Sequence, residues 1–253
     1  MTTFLLVHGA WHGGWVWEAT AGLLRESGDQ VWVPTLPGCA DRFGEAGHNI
    51  GLSDHIRDIV DLIEGNDLRD VVLVGHSYAG MVITGAADRC RDRIRMLVYL
   101  DAFVPLSGER AADFIPAALN EQALAAVHAA GEGTHLPVIY PASKFVDFDA
   151  GRSAEFMARL TPQPFFTYLE PVFLAHPPIE NRGFIYCSGA PLGLFELFAA
   201  RARNTSGWSY AEIPAAHDAM LTHPRHLSAE LRAMVSRVAG DAGSRLPGAA
   251  ERA

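Results

Sequence analysis

The stretch VVLVGHSYAG, residues 71–80, decides how the rest of the chain is read. Four apolar residues of the kind that fill a buried strand run into a turn through Gly75, Ser77 and Gly80. The segment that follows, AGMVITGAADRCRD, is rich in small residues and reads as a helix. The turn is of the G-x-S-x-G type, with Ala79 at the position of the second glycine. Small residues flank the serine because a sharp strand-to-helix turn brings the two backbones together. Such a turn lifts the serine hydroxyl to the carboxyl end of a sheet, at the N-terminus of a helix. A serine hydroxyl is a weak nucleophile at neutral pH. It needs a base, an acid that orients the base, and a site for the oxyanion. Reading Ser77 as a nucleophile therefore predicts three further parts elsewhere in the chain.

The neighbouring sequence has the matching rhythm. TFLLVHG (3–9), QVWVPTL (30–36) and MLVYLDA (96–102) read as strands, and WVWEATAGLLRESG (15–28) and SDHIRDIVDLIEG (53–65) as helices. The second helix repeats apolar residues at 56, 59, 60 and 63, with Ser53 predicted as its N-cap. Continuous apolar strands alternating with helices predict a parallel sheet covered on both faces. Between 103 and 181 the rhythm changes to helix-prone, proline-punctuated and aromatic-rich sequence. RGFIYCSG (182–189) and GWSYAEIPAA (207–216) restore the strand pattern, and an amphipathic helix over about 225–238 closes it. The expectation is a core of residues 1–102 and 182–240, a helical cap of 103–181, and a disordered tail of 241–253.

With 253 residues, 49% apolar and 19% charged, the chain is long enough to bury a sizeable core. A net charge of −9 argues against a nucleic-acid surface. Cys39, Cys90 and Cys187 are scattered and odd in number, which predicts neither a disulfide framework nor a zinc site. No apolar run approaches the length of a membrane span, and TFLLV is too short for a signal-peptide core. These features lead to the expectation of a cytoplasmic protein that acts on a small molecule without metal or cofactor. Dimerisation is left open.

The base is expected on a loop after the last strand, where His217 stands in AEIPAAHDAML. His8 and His76 belong to glycine turns, and the remaining histidines, His55 among them, read as loop or surface residues. One oxyanion donor is expected from the N–H of Tyr78, the residue after the serine. The other is expected from Ala10 in the loop HGAWHGGW, where Gly9 lets backbone approach a substrate.

FLLVHGAWHGGWVWE, VVLVGHSYAGMVI, LVYLDAFVP and IPAAHDAML together resemble the α/β-hydrolase superfamily. The branch most similar holds plant hydroxynitrile lyases, methyl-salicylate-type esterases and bacterial esterase relatives. The resemblance covers nearly all of 3–238 and is weakest in the cap. It implies an α/β-hydrolase fold with about six mostly parallel strands, helices on both faces and an inserted helical cap. It also implies Ser77 as nucleophile, His217 as base, and Ala10 and Tyr78 as oxyanion donors. Two departures matter. The plant lyases carry threonine at the position of Gly9 and lysine immediately after the histidine, where this chain has Asp218. An aspartate there repels cyanide, which argues against a cyanohydrin lyase. The serine argues against epoxide hydrolases and haloalkane dehalogenases, whose nucleophile is an aspartate.

The second departure is the acid. The branch carries it after the penultimate strand, but the matching stretch here is Cys187-Ser188-Gly189-Ala190, with alanine where the carboxylate belongs. Asp101, at the end of the preceding strand, is the candidate replacement, ahead of Asp218 and Glu196. It preserves the order Ser77, Asp101, His217, and a buried strand-end carboxylate needs a partner. Gly9, Trp11, Phe103, Tyr140, Phe165, Phe166 and Tyr168 are expected to line a pocket for an apolar or aromatic group. The leading expectation is a serine hydrolase cleaving a carboxylic ester, lactone or thioester through an acyl-enzyme. A natural-product tailoring enzyme on the same scaffold and a non-catalytic small-molecule receptor are the alternatives.

Overall fold

A computed structural model describes residues 1–44, 50–130 and 133–244, with side chains described to residue 238. Six parallel strands form the central sheet in the order β2-β1-β3-β4-β7-β8. They are β1 (Thr3–Val7), β2 (Gln30–Trp32), β3 (Val71–His76), β4 (Ile94–Leu100), β7 (Arg182–Cys187) and β8 (Trp208–Ile213). A separate antiparallel pair, β5 (His135–Leu136) and β6 (Gln163–Pro164), lies between β4 and β7 in the chain. Every residue of β3 is buried. Val72 and Val74 point into one apolar layer, while Val71 and Leu73 point into the other. That two-sided burial is why the strand reads as a continuous apolar run rather than an alternating one.

Helices cover both faces. On one side α1 (Glu18–Glu26) packs on α9 (Ala219–Thr222) and α10 (Pro224–Ser244). On the other, α2 (Leu52–Gly65) packs on α3 (Ala79–Arg89), and α8 (Glu196–Asn204) lies along β7 and β8. The chain passes from β1 outward to β2 and returns to the other side of β1 as β3. The loops after β1 and β3 therefore diverge at a topological switch point, where open α/β sheets form a crevice at their carboxyl ends. These two loops carry Ala10 and Ser77.

Among the described residues, 103–181 add no strand to the central sheet. They hold α4 (Ala117–Ala129), α5 (Ala142–Phe145), α6 (Ala150–Ala158) and α7 (Phe166–Leu169), with a 3₁₀ turn over Ala111–Phe114. Three local expectations need correction. Ser53 does not cap α2. Gly51 is the N-cap, its N–H donating to Asp54, while the N–H of Ser53, inside the helix, donates to Glu170. α10 continues to Ser244, so helix replaces the first four residues of the expected tail, and residues 245–253 lie outside the described chain. His55 is fully buried rather than at the surface. It donates from Nε2 to the Pro37 carbonyl and accepts from the Tyr78 hydroxyl at Nδ1.

His55 and His8 make the fold acid-sensitive. His8 accepts the Leu36 N–H at Nε2, which places its ring proton on Nδ1, where it donates to Gly9. Burial holds His8 down to about 3 and His55 to about 4, from an ordinary value of 6.5. Both bases bind protons more readily when unfolded. Their contribution to stability is present above pH 6.5 and is lost as pH falls toward 3. Urea denaturation should show a loss on the order of 3 kcal/mol between pH 7 and pH 5. A His8→Gln, His55→Gln variant should show a clearly shallower slope, and an unchanged slope would contradict this account.

Candidate active site

Ser77 follows β3 directly and holds φ at +57°, a left-handed conformation that costs a residue with a Cβ on the order of 1 kcal/mol. The surroundings hold it there. Its N–H donates to the Leu100 carbonyl, and its own carbonyl accepts from Gly80 and Phe103. The close approach foreseen around the serine falls at Gly75 and Gly80. A Cβ on Gly80 would sit 1.9 Å from the Phe103 carbonyl, and one on Gly75 2.8 Å from the Ala79 carbonyl.

Asp101 directly follows β4 as a second strained residue, with φ of +43°. Its N–H pairs with the Ile185 carbonyl across the sheet, which turns the carboxylate toward the loop after β8. There Oδ2 accepts from Nδ1 of His217 at 2.6 Å, and Oδ1 accepts from the Cys187 N–H at 3.3 Å. Among the described residues no other carboxylate hydrogen-bonds the His217 ring. Ala190, the position where the branch carries its acid, has no carboxylate to offer. Burial pushes the Asp101 carboxyl above the usual carboxylate value, and the His217 and Cys187 donors act against that rise.

His217 is buried, and the ring of Phe195 stacks on it 5.2 Å away at an angle of 4°. With Nδ1 committed to Asp101, Nε2 is the nitrogen left for proton transfer. Ser77 and His217 line the same cavity without a direct hydrogen bond, the loose arrangement common in sites without substrate. His76 packs beside His217, 4.3 Å between ring centres, and donates from Nε2 to the His217 carbonyl. Burial, aided by repulsion from His217 and His12, holds His76 well below its ordinary value, so it remains neutral beside the base.

Ala10 and Tyr78 present the two candidate oxyanion donors. Both residues are buried, and no acceptor among the described residues takes either N–H. Tyr78 stands at the N-terminus of α3, where unpaired N–H groups favour negative charge. Gly9 lies behind this loop rather than on the cavity wall. A Cβ there would meet Ser77 Cβ at 2.9 Å and the His76 ring at 2.8 Å. A threonine at position 9 would thus press on the serine itself.

The cavity is narrow, about 50 Å³, and its wall is mostly apolar. Trp11, Phe103, Tyr140, Phe165 and Tyr168 line it as expected. Phe166 does not. It is 51% exposed, because the single turn of α7 directs it outward. The Tyr78 side chain is buried away from the cavity, on His55 and Tyr168. Residues not foreseen also line the wall. Ile115, Leu119 and Ala123 come from the start of the cap, and Leu192, Leu194 and Phe195 from the loop after β7. Leu119 and Ala123 stand one turn apart on α4, a spacing readable in the sequence, whereas Ile115 precedes the helix in extended backbone. The 192–195 group had no periodic signal.

Cap and catalytic loops are stitched together. Trp11 (φ +67°) donates its N–H to Gln163 and its indole N–H to the Leu136 carbonyl, and its carbonyl accepts from Thr161. On the other side, the N–H groups of His217 and Asp218 donate to the Lys144 and Phe145 carbonyls. Among the described residues one cluster has the makeup of a metal site: His76, His217 and Asp218, all buried. Each already holds a protein partner: the His217 carbonyl for His76, Asp101 for His217, and His12 for Asp218.

A parallel sheet crossed by a strained serine turn, with a histidine–aspartate pair at the same crevice, is the architecture of an α/β hydrolase. The chain belongs to the alpha/beta hydrolase family, whose model matches residues 4–233. It is 39% identical to a carbendazim hydrolyzing esterase of a Nocardioides strain, over 92% of this chain and 100% of that protein. It is also 34% identical to salicylic acid-binding protein 2 of Nicotiana tabacum, over 40% of each chain. Among solved structures, an extracellular alpha/beta-hydrolase from a Paenibacillus species superposes with a TM-score of 0.78 at 24% identity, covering 92% of this chain and 99% of that one. Tomato methylketone synthase I superposes with a TM-score of 0.76 at 20% identity, covering 94% and 98%, and so shares the fold. No helix among the described residues is long and apolar enough to cross a membrane.

Proposed function

We propose that this protein is a serine esterase that cleaves a small, uncharged carboxylic ester carrying an aromatic or apolar group. The 2.6 Å bond between His217 and Asp101, beside the strained Ser77, carries this reading. Asp101 fixes the His217 tautomer that leaves Nε2 unprotonated. Nε2 takes the proton as Ser77 Oγ attacks the carbonyl carbon, and the Ala10 and Tyr78 N–H groups hold the resulting oxyanion. Collapse breaks the ester C–O bond, and the departing alcohol takes the proton from His217. A water, deprotonated by the same ring, then releases the acid from Ser77.

The wall carries no Lys, Arg, Asp or Glu side chain to pair with a buried charge, which favours a neutral substrate. The Nocardioides relative, similar over its whole length, supports ester cleavage as the class of reaction. Gly9 and Asp218 disfavour cyanohydrin cleavage, and a completed histidine–aspartate pair disfavours a receptor without catalysis. Two measurements test the proposal. The protein should hydrolyse p-nitrophenyl and naphthyl esters of short acids, and a fluorophosphonate should label it one-to-one at Ser77. An otherwise similar ester with an anionic acyl group should be cleaved at least ~10-fold less efficiently. Absence of both turnover and labelling would remove the esterase reading.

A further inference from the structure

Asp218 follows the candidate base in sequence and has a carboxylate oxygen within 4.8 Å of one of its ring nitrogens, yet its hydrogen bond goes to His12 instead. Its side chain is fully buried, with Oδ2 2.9 Å from Nε2 of His12 and Oδ1, which makes no hydrogen bond, 3.6 Å from Nε2 of His76. His12 is buried too, and its other ring nitrogen, Nδ1, lies 2.6 Å from the carbonyl of Ala10. A carbonyl oxygen can only accept, so Nδ1 carries a proton. The Nε2–Asp218 contact holds a second proton, on the ring or on the carboxyl. The pair is thus a proton-bearing bridge between two loops 206 residues apart. One end grips the residue whose N–H faces the oxyanion site. The other is rooted one residue beyond the base. Trp15, Phe145, Phe156 and His76 pack around the His12 ring and keep water from substituting for either contact.

We infer that His12 and Asp218 form a positioning pair that sets the Ala10 oxyanion donor in register with His217. The inference rests on the esterase reading, because it needs Ala10 to serve the oxyanion. Neither residue lines the cavity, so their effect falls on the transition state rather than on substrate binding. A misplaced oxyanion donor costs up to the ~10²–10³-fold that follows its removal.

The test is a set of variants assayed on one p-nitrophenyl ester, with folding checked by thermal unfolding. Asp218→Ala and His12→Ala should each lower kcat about 30- to 100-fold and leave KM within about 3-fold. The double variant should be no worse than either single one, because both break the same bridge. Asp218→Asn should retain kcat within about 3-fold. Its amide can donate to His12 Nε2, leaving the neutral ring with the Nδ1 proton that Ala10 requires. Asp218→Leu fills the same space without an acceptor and replaces Asp218→Ala if that protein does not fold. Affinity for a boronic acid that forms a tetrahedral adduct on Ser77 should fall in parallel with kcat. Unchanged kcat in the Ala or Leu variants, multiplicative losses in the double variant, or an Asp218→Asn defect as large as that of Asp218→Ala would each overturn the pair. Failure of the esterase reading is separate: it would appear as no turnover by the wild type, or as undiminished turnover by Ser77→Ala.

Discussion

Replacing Ser77 by alanine is expected to lower kcat for ester hydrolysis by about 10⁵- to 10⁶-fold, the largest effect of any single change in the molecule. In the proposed mechanism the hydroxyl oxygen is the atom that bonds to the substrate carbon. Rate above that in water should remain, because Ala10 and Tyr78 would still hold an oxyanion formed by attack of water. The backbone should not move. Alanine at φ +57° carries the same left-handed cost as serine, and the turn is fixed by bonds to Leu100, Gly80 and Phe103. Ser77→Gly should be equally inactive but more stable than Ser77→Ala by about 1 kcal/mol, since glycine has no Cβ to strain. Steady-state kinetics with denaturant melts of the three proteins checks both halves. Substantial turnover by Ser77→Ala would place the nucleophile elsewhere.

Asp101→Asn should cost about 10⁴-fold in kcat with little change in KM. An amide at this place can donate to Nδ1 of His217, and the proton then moves to Nε2, where it blocks the attack by Ser77. The charge that stabilises the imidazolium is lost at the same time. Stability should change in the opposite direction. Burial raises the folded-state value of the Asp101 carboxyl above 3.8, so the neutral form is the one that the fold favours. Stability from that form is present below pH 3.8 and is lost as pH rises through the raised value. Asparagine never ionises, so its stability relative to wild type should improve between pH 4 and pH 7. Activity within tenfold of wild type would show that the acid behind His217 lies elsewhere. A decline in relative stability with rising pH would contradict the burial argument.

The parts legible in the sequence were those encoded locally. The Ser77 turn, the Ala10 loop and the His217 loop each sit in a short string whose residue types are dictated by tight backbone geometry. Asp101 was legible at one remove. A strand-end carboxylate in a buried sheet requires a partner, and the chain order left His217 as that partner. What stayed hidden depended on distant contacts. His55 sits on a helix whose Arg57, Asp61 and Glu64 are exposed, and only the approach of Pro37 and Tyr78 makes it a core residue. His12 and Asp218 meet across 206 residues, and neither neighbourhood in the sequence announces the other. Phe166 failed for a different reason. In an aromatic-rich run, composition cannot tell which side of a single helical turn faces inward.

The stitches between cap and core have an evolutionary consequence. Lys144 and Phe145 hold the backbone of the base loop, while Leu136, Thr161 and Gln163 hold Trp11 beside the oxyanion loop. The segment that lines the cavity is therefore also part of the frame that holds the Ala10 and His217 loops. Exchanging the whole segment with that of a relative would alter alignment along with selectivity. New substrates are more readily reached by single replacements on the inner stripe, such as Leu119 or Ala123, which reshape the wall and leave the stitches in place.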